Sequence, residues 1–141
     1  MFKQNLVATV VVFILWSVID FLVHGLMLQS VYQDTAALWR PENQMYPLLM
    51  SAVTLFFGFC VVIIYSALIA PKSLQAGFKY GLLLGLGIGV LTGVGSYAYM
   101  PIPLYLAGAW FAIYFVKLAL AGVVAGYMVK EPATPVGATS Y

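Results

Sequence analysis

The chain has 141 residues, 64% of them hydrophobic and only 7% charged, with a formal net charge of +2. Ordinary soluble domains carry about 25% charged residues, so a water-soluble fold could not hide this much apolar surface, and a membrane is the expected solvent. The charge is too small to argue for nucleic acid; a lone cysteine, Cys60, excludes an internal disulfide and, beside a single histidine, a tetrahedral Cys/His zinc site within one chain.

In chain order, Met1-Phe2-Lys3 and the apolar run that follows resemble a signal peptide only superficially. The run from Leu6 to Leu28 is longer than the roughly 7–15 residues of a cleavable apolar region, and no small-x-small site closes it. It reads as a retained first span. Inside it, Asp20 and His24 stand one helical turn apart, on one face of a helix. Asp20 is the only acid within any apolar run, and His24 is the only histidine.

Gln29 to Met45 is the one long connection. Asp34 is placed to cap a short helix through Thr35, Leu38, Trp39 and Arg40, with Pro41 as its stop. Tyr32, Leu38 and Trp39 predict that this outer segment lies at headgroup depth, where aromatic rings are at home; an ordinary solvated loop is the alternative. The remaining apolar runs are about Tyr46–Ala70, Phe78–Met100 and Leu104–Val129. They are joined by a short turn over Pro71–Gly77 and a tight Met100-Pro101-Ile102-Pro103 hairpin. Each run supplies the roughly 20 apolar residues a bilayer core demands, and backbone groups cannot go unpaired in lipid, so helices are expected. The alternation of a membrane barrel is absent. Residues 131–141, rich in Pro, Ala, Gly, Thr and Ser, predict a disordered tail after a single four-helix domain over 1–130.

The basic residues outside the spans give the expected orientation. Lys3, Lys72, Lys79 and Lys130 fall on the side shared by both termini, whereas Arg40 stands opposite with Asp34 and Glu42 around it. By the positive-inside bias, both termini are expected in the cytoplasm.

The third span carries Gly81, Gly85, Gly89 and Gly93 at four-residue spacing, which aligns them as a groove without side chains. Gly122 and Gly126 offer a counterpart in the fourth span. Small-residue faces let membrane helices approach closely, so this groove packs spans three and four together, meets another subunit, or lines a path.

Lys117 in the fourth span completes a candidate cluster with Asp20 and His24, because ionisable groups in a bilayer face one another, a bundle interior or water. At about 1.5 Å per residue, Asp20 lies roughly 12 Å below the outer boundary, Lys117 roughly 20 Å and His24 about 6 Å. The mismatch of about 8 Å between Asp20 and Lys117 is within reach of an extended lysine. Three roles stay open: a buried pair that sets helix register, a wet site that moves protons or a polar solute, or a contact to another subunit, pigment, haem or metal. Met27, Met45, Met50 and Met100 invite a copper(I) reading, but their spacing forms no ligand motif. Gly85-x-Gly87-x-Gly89 sits mid-span, which rejects a dinucleotide fingerprint. Ser17, Asp20 and His24 stack along one helix without the convergence that acyl transfer needs, so no enzyme activity is expected.

Trp16, Asp20 and His24-Gly25, the Thr35–Pro41 segment, the glycine-laddered third span and the Ala/Gly-rich fourth together resemble small bacterial four-span membrane proteins of the domain-of-unknown-function type. The resemblance implies an inner-membrane location and brings no activity to carry over. The expected protein is therefore an all-α, antiparallel four-helix membrane bundle with cytoplasmic termini and a short outer interfacial helix. Its leading expected role is a non-catalytic integral subunit or assembly factor, with other membrane subunits or its own copies as partners. The alternative is a small proton or polar-solute transporter centred on Asp20, His24 and Lys117.

Overall fold

A computed structural model describes residues 1–131. Four helices are long and apolar enough to cross a membrane: α1 (Phe2–Met27), α3 (Pro47–Leu68), α4 (Leu74–Tyr99) and α5 (Leu104–Met128). A short helix, α2 (Gln29–Asp34), follows α1, and no strand forms among the described residues. Large apolar side chains such as Leu48, Phe56, Leu83 and Leu91 point outward along the long helices, as a lipid-facing surface requires.

The helices begin and end where local chemistry directs. α4 starts at Leu74, ahead of the expected Phe78, because the Ser73 hydroxyl accepts from the Ala76 N–H at 3.0 Å and caps the first turn. Pro47 opens α3 at a position where the missing N–H costs nothing. Two helices widen near one end. α1 is π-helical over Phe21–Met27, and α4 over Val90–Gly95. Such bulges rotate the side chains beyond them relative to a regular helix.

α5 is the hub. It packs most extensively on α4 and also contacts α1 and α3, while α1 packs on α3; α4 meets α3 through side chains such as Tyr80 on Tyr65 rather than by close backbone approach. α1 runs antiparallel to α3 and to α5, and α4 antiparallel to α5, whereas α3 and α5 run parallel. The main-chain N–H of Lys130 donates to Gln4 where α5 ends and α1 begins, and Gly77 at the start of α4 lies against Gly126 near the end of α5. The Tyr80 phenol of α4 donates to the Val61 carbonyl of α3 at 2.8 Å. The bundle thus has a terminal end, holding Met1, the α3–α4 turn and the close of α5, and a loop end, holding α2 and the Pro101–Pro103 hairpin.

Two clusters make the core. Trp16, Val61, Val62, Tyr65 and Leu118 fill the centre and the terminal end. At the loop end Ile102, Leu106 and Ala107 are covered by Val31, Tyr32, Leu38, Trp39 and Trp110. This second cluster corrects the expected short helix. Asp34 does not cap a helix that follows it; it ends α2, and only two 3-10 turns, Ala36–Leu38 and Glu42–Gln44, come between it and α3. The cause is tertiary. Val31 and Tyr32 of α2 pack on the loop-end cluster, and the Thr35 hydroxyl then donates to the Val31 carbonyl and accepts from the Trp39 indole, closing the helix. Apart from Glu131, the expected tail lies outside the described residues.

Candidate functional site

α1 and α5 are joined at mid-bundle by side chains of opposite kinds. Trp16 is fully buried and its indole N–H donates to the Lys117 carbonyl at 2.8 Å. One helical turn further along α1, both Asp20 carboxylate oxygens lie 2.7 Å from Lys117 Nζ. Lys117 is buried, whereas about a third of the Asp20 side chain is open. The ammonium also sits 5.1 Å from the Trp16 ring centre and 5.5 Å from that of Tyr114, so two aromatic faces share its charge. The four methylenes of Lys117 cover the axial offset that separates the two residues along their helices.

His24 extends this arrangement toward the loop end. Its Nε2 stands 3.9 Å from Asp20 Oδ1, beyond hydrogen-bond length, and its Nδ1 is 2.6 Å from the Tyr32 oxygen. That oxygen already accepts the Trp110 indole N–H at 3.0 Å. An indole can only donate, so the Tyr32 hydroxyl hydrogen is left for His24 Nδ1. In a neutral imidazole the ring proton then sits on Nε2, facing Asp20. Burial pushes the Tyr32 phenol up from its ordinary value, with the Trp110 bond opposing that shift. Trp39 meets Tyr32 edge-on at 5.7 Å and Trp110 at 5.9 Å, which seals the end of the chain of contacts. A single line therefore runs Lys117–Asp20–His24–Tyr32–Trp110, from the centre of the bundle to its loop end.

Tyr32 and Trp39 belong to this structure; Asp34 and Arg40 do not. Asp34 is exposed, and the Arg40 guanidinium lies over the Tyr46 ring at 5.1 Å. Among the described residues no group of three or more His, Cys, Asp or Glu side chains is placed to hold a metal ion.

Gly77, Gly81, Gly85, Gly89 and Gly93 of α4 face α5. Gly81 abuts the Leu118 carbonyl, Gly85 the Phe115 carbonyl, Gly89 the Phe111 carbonyl and Gly93 the Ala107 carbonyl. A Cβ built on Gly85 would stand 2.8 Å from its carbonyl, and one on Gly89 at 2.9 Å. From the α5 side, Gly122 closes on Gly77 and Gly81, and Gly126 on the Ser73 carbonyl. Gly87 and Gly108 touch nothing within 4 Å of a built Cβ.

Between α3 and α4, whose backbones do not approach closely, a cleft of about 240 Å³ reaches inward to α5. Its walls include Trp16, Thr54, Phe57, Thr92, Tyr114 and Lys117. Sequence reasoning overlooked Tyr114, Trp110, Thr54 and Thr92. A partial signal existed for the first two, since Tyr114 and Trp110 stand three and seven residues before Lys117 and share its helix face. For the threonines only the packing of separate helices reveals the shared wall. Comparison with protein-family models, with curated proteins and with solved structures gives no match to this chain.

Proposed function

We propose that this is a non-catalytic multi-pass protein of a bacterial inner membrane, serving as a small subunit or stabilising factor in a larger membrane complex or homo-oligomer. The observation that carries this reading is the half of α3 nearest the loop. Every residue from Pro47 to Val53 is exposed, on all faces of the helix, while the other half of α3 supplies Val61, Val62 and Tyr65 to the core. A helix that packs on its own chain at one end only leaves a surface that a neighbouring membrane helix fits through van der Waals contact. The Asp20–Lys117 pair belongs to the same reading as a register device: it neutralises the intramembrane charge inside the chain and holds α1 to α5.

In the proposed orientation both termini face the cytoplasm. Lys3, Lys72 and Lys130 gather at the terminal end, where the Lys72 and Lys130 ammonium groups also donate to the closing carbonyls of α3 and α5, Ile69 and Gly126. α2 then forms the outer segment, with Tyr32 and Trp39 at the membrane surface.

The test is native mass spectrometry after gentle extraction, combined with crosslinking of Met50→Cys in a Cys60→Ala background. A stoichiometric second chain, crosslinked through position 50, is the expected result. A free monomer with no crosslink in its own membrane would reject the subunit role. The line from Lys117 to Tyr32 favours a second reading, proton or polar-solute passage, which predicts a flux in vesicles that Asp20→Asn abolishes.

A further inference from the structure

We infer that the cleft between α3 and α4 is a binding site for an uncharged, carbonyl-bearing flat ring on an apolar tail, the chemistry of a membrane quinone. This goes beyond a subunit role and does not depend on it.

The cleft is a site because its polar groups are unequally spent. Lys117 Nζ carries three N–H donors, and Asp20 engages at most two of them. Tyr114, half-buried in the same wall, has no hydrogen-bond partner for its phenol among the described residues. Both donors line the cleft of a membrane-spanning bundle, where lipid tails supply no acceptor for them. Thr54 and Thr92 have already donated to the Met50 and Ile88 carbonyls of their own helices, so their hydroxyls offer lone pairs only. Two donors, the third Lys117 N–H and the Tyr114 O–H, are thus unspent, and an acceptor on the occupant pairs with them.

Charge narrows the class. Asp20 already neutralises Lys117, so an anion would bring an uncompensated charge into low dielectric, and a cation would meet the ammonium. A neutral carbonyl fits. Shape narrows it further. The walls include the rings of Trp16, Phe57 and Tyr114, which suit a flat partner, and a volume of about 240 Å³ admits one substituted ring rather than a whole lipid. Val53, exposed and on the rim, marks an opening on the lipid-facing side of α3, through which a tail can lie in the bilayer.

The experiment is thermal unfolding of the full chain in lipid nanodiscs, titrated with decylubiquinone and, separately, with decylbenzene. Ligands that bind only the folded state raise the melting temperature in a concentration-dependent way. Decylubiquinone is expected to raise it saturably, and decylbenzene, which has the ring and tail without carbonyls, to leave it unchanged. Tyr114→Phe keeps the ring but loses the donor, and should move the titration midpoint about 5-fold higher. Val53→Trp, at an exposed position that does not support the core, should block the opening and abolish the shift. No shift in the wild type, an equal shift with decylbenzene, or a decylubiquinone response that both variants leave intact would each overturn the site.

Discussion

One helix, α5, makes two seams by opposite means. Toward α4 it presents Gly122 and Gly126, and the facing helix answers with Gly77, Gly81, Gly85, Gly89 and Gly93. Toward α1 it presents Lys117, which answers Asp20 and Trp16. The first seam is held because side chains are missing: the backbones close until carbonyls stand where a Cβ would be, and many small dispersion contacts accumulate. The second is held because side chains are large and polar. Lipid tails are as apolar as leucine, so apolar burial alone does not drive membrane helices together. Close approach and specific polar pairing are the two remaining ways, and this chain uses one on each side of the same helix.

The glycine seam should be the harder one to alter. Gly122→Leu drives a side chain into the Gly77 carbonyl and the Gly81 main chain, neither of which can turn aside, so a loss of about 5 kcal/mol or more is expected. Reversible unfolding in mixed micelles would measure it; a change under 1 kcal/mol would mean the two helices can separate freely. In the polar seam, Lys117→Met strands the Asp20 carboxylate and should cost about 3–5 kcal/mol. Adding Asp20→Asn should recover much of that, and a double-mutant cycle showing additive losses would mean that the pair does not couple.

The loop-end extension of the polar seam is weaker. Tyr32→Phe removes the hydroxyl shared by His24 and Trp110, with an expected loss of about 1–2 kcal/mol. It also carries a pH signature. Burial raises the folded-state value of this phenol, so its contribution is fully present below the ordinary tyrosine value near 10 and is lost as pH rises through the higher folded value. Between neutral and strongly alkaline pH, the stability of Tyr32→Phe should therefore fall less than that of the wild type. The smallest effect belongs to a glycine outside the seam. Gly87→Ala meets nothing and, within a helix, should stabilise by about 0.4–1 kcal/mol, a direct contrast in sign with Gly122→Leu.

Much of this comparison was legible beforehand. Four-residue spacing put Gly81, Gly85, Gly89 and Gly93 on one face, and the cost of lone charges in lipid brought Asp20 and Lys117 together in expectation. Less legible was the fate of His24. Its partner, Tyr32, lies in a connection whose path depends on packing, and the expected helix after Asp34 was displaced by the helix before it. Local capping signals are worth about 1 kcal/mol, and burial of Val31 and Tyr32 at the loop end outweighed them.

Sequence alone determined the number and approximate extent of the long helices, the lack of polar surface, and the few residues that lipid cannot tolerate unpaired. Those follow from composition and from a backbone that must satisfy its hydrogen bonds within each segment. Only the tertiary structure decided that α5 is the hub, that Gly77, Gly81, Gly85, Gly89 and Gly93 of α4 are spent inside the chain, that Tyr32 and Trp110 complete the line from Lys117, and that α3 stands partly apart to leave a cleft. Helix periodicity says which residues share a face; which face meets which neighbour is set by the fit of all the helices at once.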